Sequence, residues 1–143
     1  MNPTYCAFNK TAESFLGLNI CRADSKWSRL KSSLGTYILT GGDGLWVARS
    51  RGILTVNVLV PIDLVYLDRE CRVVGLAEHL TGCRIGPLRS GSYSLLKLPA
   101  HAIHESHTRV GDQLLISAAE EMETYLKNVH AGVSRRDDEP SGN

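Results

Sequence analysis

The sequence predicts a mainly β domain: a compact, jelly-roll-like β-sandwich or barrel with two short helices and a C-terminal amphipathic helix. Three observations lead to this class. Short runs rich in Val, Ile, Leu and Tyr, separated by turn residues, dominate the first 117 positions. Residues 53–60 alternate in the pattern of a strand. At 143 residues the chain is long enough to bury a normal core within one domain.

The first elements are a hairpin and a helix. Residues 5–8 and 15–20 are strand-like and flank a polar turn, which predicts an antiparallel pair. Residues 24–35 change to a helical period and end on a glycine, which predicts a short helix. The glycine-rich stretch 41–44 has strand-like residues on both sides, so we expect a hairpin loop there rather than a phosphate-binding loop.

A proline interrupts the central strand. Pro61 cannot donate to a sheet ladder, so the strand is expected to break there and to resume over residues 62–67. Asp63 is then expected to accept hydrogen bonds from backbone N–H groups that the ladder leaves free. We interpret its carboxylate as a part of the architecture. On the preceding segment, alternate side chains should point into the core: Leu54, Val56, Val58 and Val60.

The second half of the domain alternates strands with loops. A turn at residues 68–70 leads to a return strand at 71–76. Residues 80–93 contain three glycines and a proline, so we interpret them as an irregular surface loop. Three more elements are expected: a strand at 94–98, a short helix beginning at Pro99 and a final strand at 113–116.

The C-terminal segment predicts one amphipathic helix. Ser117 and Glu120 have the spacing of a capping box, and apolar residues recur along one stripe after it. After residue 129 the chain has little to bury and predicts disorder. The expected organisation is therefore a β domain over residues 1–117, a helix over 118–129 and a disordered tail over 130–143.

Composition narrows the classes of partner. Sixteen basic and fifteen acidic residues give a net charge of +1 without a basic cluster, so nucleic-acid binding is not expected. No apolar stretch is long enough to span a membrane, and the N-terminal sequence lacks the pattern of a secretory signal. We therefore expect a cytoplasmic protein whose four cysteines are reduced, with export after removal of a leader as the alternative.

One cluster contains residue types that bind metals: His101, His104, Glu105 and His107. On a helix, the first three would share a face, and imidazole with carboxylate suits zinc. Their order, HxxHE, matches neither HExxH nor HxxEH. We interpret the cluster as an exposed polar helix face and expect no metal and no cofactor.

Several motifs, in order, resemble the domain-of-unknown-function 192 family (UPF 0127 group). They are ADSKWSRLKSSLG, GDGLWV, ILTVNVLVPIDLVYLD, GCRIGPLRSGSYSLLKLPA and RVGDQLLI, and they extend over about residues 3–117. The resemblance implies a compact jelly-roll-like domain of unestablished function, with some bacterial relatives accompanying pilus or secretion genes. The chain departs from the family pattern where relatives commonly have His, Met, an acidic residue and Gly, which are here Leu54, Val58, Lys97 and His101.

Two hypotheses of function follow. In the first, the protein is a non-catalytic binding or accessory module, which the family resemblance links to pilus or secretion systems. Its binding residues would be Thr55, Asn57 and Asp63 on a concave sheet face, or it would contact a protein partner through the helix 118–129. In the second, it is a hydrolase of small or carbohydrate-like substrates in which Asp63 and Asp112 act as an acid–base pair across a cleft. Asp68 is the third candidate for this acid–base role, and we expect both Asp68 and Asp112 to lie in exposed turns. No other catalytic residue is predicted.

Overall fold

Seven strands and two helices form the part of the chain that the structure, a computed structural model, describes. It covers residues 4–23, 42–48, 54–85 and 91–138, with the backbone alone at 23, 48, 54–60, 82–85 and 133–138. The elements are β1 (Thr4–Asn9), β2 (Ser14–Ala23), β3 (Asp43–Ala48), β4 (Leu54–Leu67), β5 (Val73–Ile85), β6 (Ser94–Pro99), α1 (Ala102–Glu105), β7 (Leu114–Ala118) and α2 (Ala119–Asp138).

The strands form one curled sheet in the order β5-β4-β6-β3-β2-β1-β7. All neighbours are antiparallel except β2 and β3, which are parallel. The predicted mainly β class is confirmed, whereas jelly-roll connectivity stays a prediction. The first hairpin is confirmed as well, because β1 and β2 pair from Thr4 with Cys21 to Asn9 with Ser14.

The two edges of the sheet approach each other at one end. There Arg72, just before β5, forms a bridge with Gln113, just before β7. The Val73 N–H donates to the Asp112 carbonyl at 2.9 Å, and the Leu114 N–H donates to the Cys71 carbonyl, also at 2.9 Å. These bonds satisfy backbone groups that an open sheet would leave without partners. The curled sheet is therefore a half-barrel held together at this seam.

The thiol of Cys71 lies at the seam, and it predicts a dependence of stability on pH. Burial, followed in size by the nearby Asp68 carboxylate, raises the pKa of this thiol above its ordinary value of 9.0. Above about pH 9 the thiol ionises in the unfolded chain before it does so in the folded one, so the folded state holds more protons and loses stability as pH rises.

The variant Cys71→Ser lacks this titration. We therefore expect the free energy of unfolding to fall less steeply for the variant than for the wild type between about pH 8 and about pH 10. Urea titrations of both proteins at the two pH values measure the difference. Parallel pH profiles would contradict the assignment.

The main core fills the inside of the half-barrel. Alternate residues of the strands supply it, and α1 closes one end of the half-barrel with Ile103, which is 4% exposed. At roughly 2 kcal/mol for each fully buried large apolar side chain, this cluster is the main source of stability. Its buried members are Ala7, Leu16, Ile20, Val65, Leu67, Val73, Leu96, Leu98, Ile103 and Leu114.

Several boundaries within the β domain differ from the sequence expectations. β4 continues through Pro61, because the break is absorbed as register shifts between Val58 and Leu64 rather than as an end of the strand. Residues 80–85 extend β5 and do not form a loop, since β4 offers a pairing partner along its whole length. Pro99 ends β6, and the short helix begins at Ala102. The predicted helix over 24–35 lies outside the described residues.

The C-terminal helix packs on the outer face of β1 and β7. Met122 is 2% exposed and contacts a cluster that includes Cys6 and Phe8. Residue 118 belongs to β7, so the helix begins at Ala119. The Ser117 hydroxyl is buried and has no hydrogen-bond partner in the described chain, so the predicted capping box does not form. The helix continues to Asp138, beyond the predicted start of the tail at 130.

Candidate functional site around Asp63

The Asp63 carboxylate joins three elements of the fold. The side chain is fully buried in β4. One oxygen, Oδ1, accepts the His79 N–H of β5 at 2.9 Å, and the other, Oδ2, accepts the Ile103 N–H of α1 at 3.0 Å. Both oxygens are thus held by backbone donors that no strand ladder pairs. The predicted role of Asp63 as an acceptor for free backbone N–H groups is confirmed by these contacts.

A bulge in β5 brings the first donor to Asp63. Ile62 pairs with Leu80 and Leu64 pairs with Ala77, so two residues of β5, Glu78 and His79, lie opposite one residue of β4. His79 has a φ of 54°, the left-handed backbone that bulges often require. The bulge turns the His79 N–H toward the carboxylate, and this contact offsets the conformational cost of a non-glycine residue there.

The second donor comes from the start of α1. After β6 the chain turns at His101, which has a φ of 76° and precedes the helix. Because α1 has four residues, most of its N–H groups lack partners within the helix. Asp63 supplies an acceptor for one of them, the Ile103 N–H. We call this arrangement, made by Asp63, the β5 bulge at His79 and the chain from His101 to Ile103, the Asp63 junction.

Two imidazole rings lie next to each other at the Asp63 junction. The ring centroids of His79 and His101 are 5.6 Å apart, with the planes inclined at 44°. Both residues are exposed, as are His104, Glu105 and His107. The structure therefore places the predicted polar cluster at the surface. Within the described ranges, no group of three or more His, Cys, Asp or Glu residues lies close enough to hold a metal ion.

Asp112 lies in a different polar network, at the seam. Its Oδ2 accepts the Asn9 Nδ2–H and the Arg109 N–H, both at 2.9 Å. The Asn9 Nδ2–H group also donates to the Thr108 hydroxyl, and the Oδ1 of Asn9 accepts the Thr11 and Ala12 N–H groups. Asp112 is 9% exposed, so the expectation that it lies in an exposed turn is wrong. The cause is Asn9, which approaches Asp112 from 103 positions earlier in the chain.

In the motif VGDQL, residues 110–114, each of the three central residues Gly111, Asp112 and Gln113 has a structural role. Gly111 has a φ of 97°, which favours glycine, and its N–H donates to the Val73 carbonyl at 2.8 Å. Asp112 accepts the two hydrogen bonds described above. The Gln113 side chain donates to the Glu70 carbonyl at 2.6 Å, which fastens the turn between β4 and β5 to the start of β7. The motif therefore builds the seam.

Lys97 is a buried cation on β6. The residue is 7% exposed, and burial lowers the pKa of its ammonium group. It lies between Leu45 of β3 and Leu64 of β4 in the sheet register.

The two carboxylates of the hydrolase hypothesis have no hydrogen-bond partner in common. Asp63 contacts β5 and α1, whereas Asp112 contacts β1 and the loop before β7. A general acid or base needs an oxygen that can reach a substrate proton. Both oxygens of Asp63 accept hydrogen bonds from the backbone and the residue is not exposed, so in this arrangement the carboxylate cannot reach a substrate proton.

Thr55 and Asn57 lie on β4, but their side chains are outside the described part of the chain. Ligand binding by Thr55, Asn57 and Asp63 therefore stays a prediction.

Comparisons with known proteins give the fold and no family. No family model and no curated protein matches the sequence. A solved structure of a candidate transcription regulator from Sinorhizobium meliloti 1021 is similar with a TM-score of 0.64 and 14% identity, over 80% of this chain and 93% of that one. A protein of unknown function from Novosphingobium aromaticivorans DSM 12444 is similar with a TM-score of 0.60 and 14% identity, over 78% and 83%. At such identities the likeness shows the fold alone.

Sequence reasoning missed the residues that give the Asp63 junction its shape. His79 falls between the predicted strand at 71–76 and the predicted loop at 80–93, and no local pattern in the sequence marks it as part of a bulge. His101 was assigned to a helix face, whereas it precedes the helix with left-handed backbone. The available signal was Asp63 itself: a buried acceptor requires donors, but the sequence does not say from where they come.

Proposed function

We propose that the protein is a non-catalytic binding or accessory module that contacts a protein partner through its outer apolar surface. This surface consists of Phe15, Leu18 and Val129. The three side chains are 40%, 60% and 43% exposed. Phe15 and Leu18 contact members of one cluster that packs α2 onto the sheet, and Val129 lies one helical turn beyond the last member of that cluster. The cluster consists of Cys6, Phe8, Leu115, Met122, Tyr125 and Leu126.

The observation that carries this proposal is the change in burial along α2. Met122 is 2% exposed, Tyr125 and Leu126 are half-buried, and Val129 is 43% exposed. The apolar stripe thus continues past the point where the sheet covers it. A helix that only covered its own core would turn polar on this face once the contact ends. A partner that packs against the uncovered part would bury it.

Two residues of β2 extend this surface beside the helix. Phe15 contacts Phe8, with ring centroids 4.9 Å apart, and Phe8 in turn contacts Tyr125 of α2 at 6.3 Å. The Leu18 carbonyl accepts the Cys6 thiol at 3.6 Å, so Leu18 lies next to the same cluster. Aromatic and aliphatic side chains of this kind, in contact with a packed cluster, favour protein binding.

The hydrogen bonds that engage both carboxylates within the fold favour a binding role over a hydrolytic one. Asp63 and Asp112 stabilise backbone turns from within the protein, as their hydrogen bonds show.

The resemblance to the domain-of-unknown-function 192 family also agrees with the proposal. Its two most specific pieces, PID and VGDQL, account for the Asp63 junction and the seam, both of which are architectural. The proposal includes three further statements. The chain belongs to that family, its strands have jelly-roll connectivity, and the protein is associated with secretion or pilus assembly. No helix in the described ranges has the length and apolar character to cross a membrane.

Site-specific crosslinking tests the proposed surface. A photoreactive phenylalanine analogue replaces Leu18 or Val129, and the matched control replaces Val110, which is 62% exposed but lies in the loop before β7. We expect illumination of the native host cells to give the same discrete adduct from positions 18 and 129, and no such adduct from position 110. The charged variant Leu18→Asp should abolish the adduct at 129 while it leaves the Tm within a few degrees.

Two results would contradict the proposal. The first is equal labelling from position 110, or no adduct at positions 18 and 129. The second is hydrolysis of chromogenic glycosides by the purified wild type that both Asp63→Asn and Asp112→Asn remove without unfolding the protein. The second result would establish the hydrolase hypothesis instead.

A further inference from the structure

We propose that His79 and His101 together bind a divalent transition-metal ion at the surface of the Asp63 junction. The two residues are 22 positions apart and belong to different elements, the β5 bulge and the turn before α1. Nevertheless their rings are neighbours, with centroids 5.6 Å apart. This site is separate from the outer apolar surface and does not depend on the proposed function.

The ring separation fits two imidazoles on one metal ion. Histidine nitrogens bind zinc at about 2.0 to 2.1 Å, and with angles at the metal of about 90° to 120° this places the two ring centroids roughly 4.5 to 5.5 Å apart. The observed 5.6 Å lies just above that range, so a small rotation of these exposed side chains brings both rings to one ion. Imidazole pairs suit nickel, copper and zinc ions rather than magnesium or calcium, which prefer oxygen ligands.

The backbone beneath the rings is fixed before any metal binds. Asp63 holds the His79 N–H directly, at 2.9 Å, and holds the chain two residues after His101 through the Ile103 N–H, at 3.0 Å. One buried carboxylate therefore sets the distance between the two segments that carry the imidazoles. Ligands that are already in place lose less conformational entropy on binding, which raises affinity.

The residue types are informative because of the backbone that they adopt. His79 has a φ of 54° and His101 a φ of 76°, where glycine or asparagine would be more favourable. Histidine supplies an imidazole at both positions. Since two protein ligands leave the other coordination positions of the ion open, water or a group from another molecule would complete them.

Nickel titration of the full chain tests the proposal, with Ni²⁺ alone as the probe. By isothermal titration calorimetry at about pH 7.5, we expect one Ni²⁺ ion per chain. His79→Asn and His101→Asn should each weaken binding by roughly tenfold or more. Asparagine tolerates left-handed backbone, so both variants should retain the fold. Ni²⁺ should also raise the Tm of the wild type more than that of either variant, because the ion connects β5 to α1.

His107→Asn is the matched control. His107 is also exposed and also has a positive φ, of 56°, but its ring has no described histidine neighbour. We expect its affinity for Ni²⁺ to equal that of the wild type. If a variant fails to fold, NMR of the wild type gives the answer without substitution: Ni²⁺ should broaden the ring resonances of His79 and His101 before that of His107. Equal affinity in all three variants, or broadening that begins at His107, would overturn the proposal.

Discussion

Replacement of Asp63 by alanine should lower the free energy of unfolding by about 2 to 5 kcal/mol. The substitution leaves the Ile103 N–H without an acceptor at a buried position and the His79 N–H without one at a partly buried position. Each buried donor that loses its partner costs about 1 to 3 kcal/mol. Because domains of this size are stable by only about 5 to 15 kcal/mol, this loss would be severe.

Asp68→Ala is the matched control for this experiment. Asp68 also accepts two backbone N–H groups, those of Glu70 and Arg72, each at 2.9 Å. Its hydrogen bonds lie in an exposed turn, so water can replace the carboxylate, and we expect a loss of about 1 kcal/mol. Urea unfolding, followed by circular dichroism, measures both variants. Equal losses at positions 63 and 68 would show that burial of the acceptor does not matter at the Asp63 junction.

Asn9→Ala should cost about 2 to 4 kcal/mol, because Asn9 makes four hydrogen bonds at full burial. The variant leaves the Thr11 and Ala12 N–H groups without their acceptor, and it removes one of the two donors to Asp112. The connection from β1 to the seam is lost with them. Asp112→Ala should give a smaller additional loss in the Asn9→Ala background than in the wild type, since the two residues share one bond.

Asn19→Ala provides the control for Asn9. The Asn19 amide donates to Asp43 at 3.0 Å, but this bond is exposed. We therefore expect a change within about 0.5 kcal/mol. Chemical denaturation of the four variants, the two asparagine replacements, Asp112→Ala and the double replacement, measures these terms. Strict additivity of the Asn9 and Asp112 losses would contradict the network described here.

Local patterns in the sequence predicted those elements whose partners are close in the chain. The hairpin of β1 and β2 follows from strand-like runs around a polar turn, and β6 follows from the apolar run that begins at Ser94. The role of Asp63 was predictable in kind, because a carboxylate beside a proline needs donors and a disrupted ladder offers them. The identity of those donors was not predictable, since His79 and Ile103 reach Asp63 only through tertiary structure.

The errors share a physical cause, which is pairing over long distances in the chain. Residues 80–85 resemble a loop on composition, yet β4 supplies a partner strand to them. Asp112 resembles a turn residue, yet Asn9 buries it within a network. The parallel pairing of β2 with β3 has no signature in either strand, because both would suit an antiparallel neighbour equally well.

The position of β1 between β2 and β7 has a consequence for the synthesis of this protein. A nascent chain can pair β1 with β2 soon after residue 21 has left the ribosome, but the other side of β1 must wait for the segment that ends at Ala118. Until then, one row of hydrogen-bonding groups on β1 has no native strand beside it. The sheet therefore cannot be completed before Ala118 has emerged, and an mRNA truncated before the codon for Ala118 would yield a product exposed to aggregation and proteolysis.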